Sequence, residues 1–195
     1  KQFSDKIIAQ MFEVKRTGNA IVYRNAVNRL VGFNSGNIRF DDIDYVLLTK
    51  FEHHLKTSGL KQNSISNYFR SIRALYNLAI KHKLVDRALY PFYDISIKSE
   101  RTSKRAITKN DIKQLNLLEL DENTAPWRAL NFFMLSFYLR GMSFTDMAYL
   151  KPANIVNGRI HYVRRKTHKF YSIKLFPPGK QIINNLHQMD DYYLL

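Results

Sequence analysis

The sequence contains no cysteine, few acidic residues and no long apolar run, and each shortage excludes a class of protein. Without cysteine, a disulfide scaffold, a thiolate zinc site and a cysteine nucleophile are all ruled out. No apolar stretch approaches the roughly 20 residues that a membrane span requires, and residues 1–10 do not resemble a signal peptide. The glycine patterns of nucleotide-binding loops and the paired-histidine spacing of metalloproteases are also missing. We therefore predict no metal site, no nucleotide cofactor and no membrane partner.

The shortage of acidic residues leaves a large positive charge. Acidic residues number 16 against 31 lysines and arginines, which gives the 195-residue chain a formal net charge of +15. Residues 1–98 contain 16 basic and 8 acidic residues, and residues 99–195 contain 15 and 8, so both halves are basic. A field of this sign collects polyanions, and nucleic acid is the commonest of them. The alternatives are a charge that serves solubility alone or an anionic membrane surface.

Residues 1–97 have the apolar periodicity of four helices. The pattern predicts a first helix that ends near Gly18, a second that begins after Asn19, and a third that starts at the acidic residues Asp41, Asp42 and Asp44 and stops at Gly59. A fourth helix opens at Asn63 or Ser64, with an apolar side wide enough to be the centre of a small bundle. Its other face carries Asn67, Arg70 and Arg73, which we predict to contact the major groove of DNA; ordinary solvation is the alternative.

Residues 98–105 have no periodicity and are rich in basic residues, which is typical of an interdomain linker. Lys104 and Arg105, at its end, are predicted to contact the DNA backbone. After the linker, Thr108 and Thr124 are expected N-caps of two helices. The second of these is so apolar through Phe137 that we expect it to be buried nearly all round. An antiparallel β-meander follows, with a hairpin turn at Asn157-Gly158.

Two cations in residues 106–195 are candidates for catalysis. Arg140 follows the apolar helix and precedes a glycine, so its guanidinium could clamp a phosphate; an interaction with the helix C-terminus is the alternative. Lys166 lies at the turn between two strands, where it could donate a proton to a leaving oxygen; a solvated turn is the alternative. The flanking Arg164, Arg165 and Lys169 are predicted DNA contacts. His161 and Arg164 form an H-x-x-R pattern, but strand residues three apart project to opposite faces, so we reject them as a pair.

The order of these features is similar to that of the tyrosine recombinases, particularly the integrases of bacterial mobile elements. The resemblance is carried by the T-x-K-R linker of residues 102–105, by R-K-T at residues 165–167, and by residues 133–150, which read FMLSFYLRGMSFTDMAYL. It implies a mainly α chain with a small antiparallel sheet. Residues 1–97 would be a four-helix, SAM-like core-binding domain, and residues 106–195 the truncated N-terminal part of an α+β catalytic domain.

The resemblance also implies an activity and a role for each site residue. The family cuts and rejoins DNA through a covalent phosphotyrosine, without a metal or a high-energy cofactor, and works as a tetramer on double-stranded DNA. Arg140 would hold the scissile phosphate and Lys166 would assist the leaving 5′-hydroxyl. Asp146 matches the acidic residue that follows the arginine, and it would steady that arginine.

The family's later H-x-x-R and its tyrosine nucleophile would lie beyond Lys169, and Tyr192 and Tyr193 come too early to be that nucleophile. We therefore expect a DNA-binding fragment of a bacterial, cytoplasmic, nucleoid-associated recombinase that does not cleave DNA by itself. A non-catalytic DNA-binding regulator remains the alternative.

Overall fold

A computed structural model describes residues 1–103, 105–186 and 194. The chain divides into two units, residues 1–104 and residues 105–195, and each has its own hydrophobic core. The division falls inside the segment predicted as the linker. Lys104, one of the predicted DNA contacts, lies outside the described residues.

Four helices form the first unit, as the periodicity predicts. They are α1 (Gln2–Glu13), α2 (Thr17–Phe33), α3 (Tyr45–Thr57) and α4 (Gln62–Lys81), and a short 3₁₀ helix follows at Arg87–Leu89. Helix α4 packs against α2 and α3 and supplies the centre of the core. Its buried apolar side chains recur at helical spacing because one face of the helix turns inward; they are Ile65, Phe69, Ile72, Leu75, Tyr76 and Ala79.

Two helix boundaries show which local signals decided the fold. The Asp44 carboxylate caps α3 by accepting a hydrogen bond from the Leu47 amide at 2.7 Å, and Gly59 ends the helix region with a φ of 77°. These two predictions are confirmed. The predicted stop at Gly18 is wrong, because the chain turns earlier, at Lys15 with a φ of 58°, and Gly18 lies in the first turn of α2. The left-handed residue of the turn is Lys15, whereas the sequence analysis had assigned this position to Gly18.

The segment after the first unit is fastened to the start of α4. The Asn63 side chain donates to the Glu100 carbonyl at 2.9 Å, and the Glu100 amide donates back to Asn63 Oδ1 at 2.9 Å. The Ser66 hydroxyl donates to the Lys98 carbonyl. Residues 98–100 therefore lie along α4, and only the later part of the predicted linker is free of these contacts.

The second unit places helices against a three-stranded sheet. Its helices are α5 (Lys109–Asn116), α6 (Ala125–Tyr138), α7 (Phe144–Ala148) and α8 (Pro177–Leu186), and its strands are β1 (Ile155–Val156), β2 (Arg159–Val163) and β3 (Phe170–Lys174). The strands are antiparallel in the order β1-β2-β3. Asn157 and Gly158, with φ of 50° and 68°, form the predicted hairpin turn. Ile160 and Ile173 are opposite each other on β2 and β3 and lie in the core.

Helix α6 is less buried than its composition predicts. Met134 and Leu135 are buried, but Phe133 is 42% exposed and Phe137 is 52% exposed. The expectation of burial nearly all round is therefore wrong for the part of the chain that the structure describes, where α8 covers one side of α6. Along the described ranges, no helix combines the length and the apolar character that crossing a membrane requires.

Candidate functional site

Arg140 occupies a tight turn between α6 and α7. Its φ is 57° and that of Gly141 is 78°, and the Gly141 amide donates to the Ser136 carbonyl at 2.8 Å, which closes the C-terminus of α6. The Ser136 hydroxyl also donates to the Met142 carbonyl at 2.8 Å. The arginine side chain is exposed and has no hydrogen bond or ion pair with any other described residue. A fixed backbone therefore presents a guanidinium that is free to bind an anion.

A cleft of about 440 Å³ opens beside this arginine. It lies between the beginning of α5 and the exposed side of α6, and Lys109 adds a second cation to its wall. The other lining residues are Ile107, Thr108, Ile112, Phe133, Ser136, Phe137 and Gly141. The cleft thus has two exposed cations, Arg140 and Lys109, that can attract an anion.

Asp146 is buried, with its side chain 2% exposed. Its Oδ2 accepts a hydrogen bond from the Ser143 hydroxyl at 2.7 Å, at the start of α7. Its Oδ1 accepts from the Arg165 amide at 3.0 Å, and Oδ2 lies 3.8 Å from Nε of Arg164. One carboxylate thus joins α7, which begins four residues after Arg140, to the β2–β3 hairpin.

The hairpin that carries Lys166 is tightly closed. The Arg164 amide donates to the Lys169 carbonyl at 2.8 Å, and the His168 amide donates to the Arg164 carbonyl at 2.8 Å, with His168 in the left-handed region. The Arg165 guanidinium lies over the Tyr149 ring, 3.8 Å from its centroid. Lys166 and Lys169 are exposed, so the tip holds two cations away from the contacts that fix its base.

Two tyrosines complete the base of the hairpin. The Tyr162 and Tyr171 rings stack across β2 and β3 with centroids 5.4 Å apart. Burial, followed by the negative charge of Asp146, raises the pKa of Tyr162. A hydrogen bond with Tyr171 is the main cause of a raised pKa at Arg164. Tyr162 therefore stays neutral and Arg164 stays positive at physiological pH. The positive charge of Arg164 maintains its ion pair with the Asp146 carboxylate.

The contacts of Asp146 differ from those that the sequence resemblance implies. Within the described residues its partners are Ser143, Arg164 and the Arg165 amide, and Arg140 is not among them. Arg164 and Arg165, predicted as DNA contacts, are therefore partly engaged in the attachment of the hairpin. Sequence reasoning missed this attachment because the two partners lie 19 residues apart. The signal available was the run of basic residues that follows Asp146 without another acidic residue up to Met189.

The rejected H-x-x-R pair is separated in the structure as strand geometry requires. The His161 ring stacks on Phe170, with centroids 5.8 Å apart, whereas Arg164 faces Asp146. Across residues 1–103, 105–186 and 194, no group of three histidine, aspartate or glutamate side chains is arranged to hold a metal ion.

The exposed face of α4 holds the remaining predicted contacts. Asn67, Arg70 and Arg73 are all exposed there, and the described residues offer the two arginines no ion-pair partner. Asn77 and Lys81 extend the same face toward the end of the helix, and the sequence prediction did not include them among the contacts. Arg105 is also exposed, at the start of the second unit.

Comparisons with known proteins agree with this architecture. Residues 1–95 match the family model of the phage integrase SAM-like domain. The fold is shared with a lambda integrase dimer bound to a COC′ core site, at 14% identity and a TM-score of 0.72, over 99% of this chain and 69% of that one. A lambda integrase tetramer bound to a Holliday junction aligns at 15% identity and a TM-score of 0.70, over 99% of this chain and 58% of that one.

A transposon integrase has the same fold. The Tn1549 integrase in complex with transposon right end DNA aligns at 15% identity and a TM-score of 0.68, over 99% of this chain and 69% of that one. Among curated proteins, none matches the sequence. The chain thus spans between 58% and 69% of the length of these three structures.

Proposed function

We propose that the chain is a tyrosine recombinase and that it binds double-stranded DNA for site-specific recombination, because residues 1–95 match the phage integrase SAM-like domain and the chain shares its fold with integrases. The net charge of +15, present in both units, supports this function because it favours a polyanionic partner. Two of the integrase structures that share the fold contain bound DNA, a core site in one and a transposon right end in the other.

Arg140 is the residue that holds the scissile phosphate in this proposal. Its guanidinium donates to two oxygens of one phosphoryl group and neutralises the charge that builds up when a nucleophile attacks the phosphorus. The left-handed turn at Arg140-Gly141 fixes the base of the side chain, so little backbone freedom is lost on binding.

Lys166 is the proton donor. When the phosphorus–oxygen bond to the 5′-oxygen breaks, that oxygen needs a proton, and the Lys166 ammonium supplies it. Asp146 acts as a positioning residue. Its bond to the Arg165 amide, next to Lys166 in the chain, fixes the base of the hairpin. This buried carboxylate is the observation that best supports a built site, because a solvated turn has no need of it.

The 195-residue chain is proposed to bind DNA without cleaving it. Strand cleavage in this family proceeds through a phosphotyrosine, and the chain contributes two cations of that site, Arg140 and Lys166. The test is to select a site from a randomised duplex library and incubate it, as a nicked substrate, with the chain. We expect retention on DNA that falls steeply with salt and no covalent protein–DNA adduct. An adduct would refute the absence of cleavage, and a lack of retention would refute DNA binding altogether.

Assembly on DNA is part of the same proposal. One of the structures with this fold is an integrase tetramer on a Holliday junction. We expect the chain to associate with itself only when junction or site DNA is present, and in the cell to be bound to the bacterial nucleoid. Sedimentation of the chain with and without a four-way junction tests this. If the number of chains per particle is the same with the junction as without it, the expectation is contradicted.

A further inference from the structure

A cleft at the end of α4 brings together basic and aromatic side chains that the proposed catalytic site does not use. Its volume is about 380 Å³, and Tyr93 at its edge is 70% exposed. The cleft contains two cations, Lys81 and Arg87, both exposed. The full lining is Asn77, Ile80, Lys81, Arg87, Tyr90 and Tyr93.

The wall opposite α4 is fixed by contacts of its own. The buried Tyr76 hydroxyl donates to the Leu89 carbonyl at 2.9 Å, and the Asp86 carboxylate accepts from the Ala88 amide at 2.8 Å. These bonds hold the 3₁₀ helix that begins at Arg87. The Tyr90 ring packs edge to face against Tyr93, with centroids 5.0 Å apart. The cleft is therefore preformed, and binding there costs little ordering of the backbone.

The cleft continues the exposed face of α4 on which the predicted groove contacts lie. Asn67, Arg70, Asn77 and Lys81 follow one another at spacings of three, seven and four residues, which keeps them on one side of a helix. At 1.5 Å per residue, Asn67 and Lys81 are about 21 Å apart along the axis. The major groove is only about 12 Å wide. A helix that crosses the groove with Asn67 and Arg70 inside it therefore brings Lys81 to the phosphates at the groove's edge.

We propose that this cleft, defined by Lys81, Arg87 and Tyr93, binds a phosphodiester of the DNA backbone beside the groove that α4 enters. The proposal rests on the proposed function. Lys81 and Arg87 pair with the phosphate charge, and the Tyr93 hydroxyl donates to a phosphate oxygen, as tyrosines commonly do at DNA backbones. Asp94 is the exposed acid nearest in sequence to Tyr93, and the Asp86 carboxylate is held by the backbone of the 3₁₀ helix. The cleft fixes the register of α4 without reading sequence.

The experiment measures affinity for a random-sequence 30-base-pair duplex as a function of salt. A single phosphate contact contributes about 0.9 to the slope of log affinity against log salt concentration. Over the tenfold range from 1 M to 0.1 M salt, that slope corresponds to a roughly eightfold gain in affinity. We expect the double variant Lys81→Ala/Arg87→Ala to lower affinity by about that factor and to reduce the slope by about one, and each single variant to lower both by less. Tyr93→Phe, which removes only a hydroxyl, should weaken binding without changing the slope.

The matched control is Lys56→Ala. It removes the same charge from an exposed helix, but Lys56 is already paired with Glu52 at 2.7 Å. We expect its slope to equal that of the unchanged chain. Selection from a randomised duplex library should return the same preferred sequence for the Lys81→Ala and Arg87→Ala chains as for the unchanged one.

The outcomes separate this proposal from the proposed function. If the unchanged chain binds DNA and the cleft variants keep its affinity and slope, the cleft proposal is overturned and DNA binding stands. A changed preferred sequence in Lys81→Ala or Arg87→Ala also overturns it, because the cleft would then read bases. If the unchanged chain does not bind the duplex, both proposals fail.

Discussion

Replacement of Asp146 by alanine should detach the β2–β3 hairpin from α7. The carboxylate is 2% exposed and accepts hydrogen bonds from the Ser143 hydroxyl and the Arg165 amide. Hydrogen bonds to a charged group contribute about 1.5 to 3 kcal/mol each, so the loss of two should cost about 3 to 6 kcal/mol of stability in the second unit. That is a large part of the 5 to 15 kcal/mol that a domain has.

A matched control exists in the same unit. Asp111 occupies the same position at the start of α5, where its carboxylate accepts from the amide and the hydroxyl of Thr108, but it is only half-buried and holds no distant segment. Asp111→Ala should therefore destabilise the unit much less than Asp146→Ala. The measurement is urea unfolding followed by a probe confined to the second unit, such as the fluorescence of Trp127, the chain's one tryptophan.

Amide exchange gives the local result. With the Arg165 amide freed from Asp146, its exchange should accelerate at least tenfold, since about 1.4 kcal/mol corresponds to a factor of ten. In Asp111→Ala the same amide should exchange at its original rate. Equal destabilisation by the two substitutions, or an Arg165 amide that exchanges equally fast in all three chains, would refute the role given to Asp146.

Three further outcomes are expected. Asn63→Ala removes both hydrogen bonds to Glu100, so trypsin should cut after Lys98 and Arg101 several times faster, and unchanged cleavage would contradict the attachment of this segment. Arg73→Ala should change the sequence selected from a duplex library if the side chain reads a base; a uniform loss of affinity would make it a phosphate contact. Hydrogen bonds from the Thr108 amide and hydroxyl lower the pKa of Asp111 below its ordinary 3.8. Its stabilisation of α5 should therefore persist down to that pH and disappear as pH falls through the lower folded pKa. A carboxyl titration by NMR with a midpoint at or above 3.8 would contradict this.

The parts of the fold that sequence reasoning reached are those decided by neighbouring residues. Asp44 and Thr108 cap helices through hydrogen bonds to amides three residues away, and Asn157-Gly158 forms its hairpin turn within the turn itself. Such interactions leave a signature in a short window of sequence. The turn at Lys15 was missed because Gly18, three residues later, offered the stronger local signal and the chain did not use it.

The parts that sequence reasoning did not reach depend on residues far apart in the chain. The bond between Asp146 and the Arg165 amide and the paired bonds between Asn63 and Glu100 join residues separated by 19 and 37 positions. Composition alone suggested a fully buried α6, but the exposure of Phe133 and Phe137 is set by which elements pack on the helix. The candidate cations Arg140 and Lys166 could be chosen from their local setting, whereas the contact of Asp146 with the Arg165 amide could not.

The most direct test of the account is whether Arg140 and Lys166 bind the same phosphate. Duplexes of the selected site are prepared with one phosphate at a time replaced by an uncharged methylphosphonate, and each is titrated with the unchanged chain, with Arg140→Ala and with Lys166→Ala. The unchanged chain should lose affinity when one particular phosphate is neutralised, and both variants should be insensitive to that same replacement. Sensitivity lost at two different phosphates, or retained in both variants, would contradict a site in which the two cations act on one phosphoryl group.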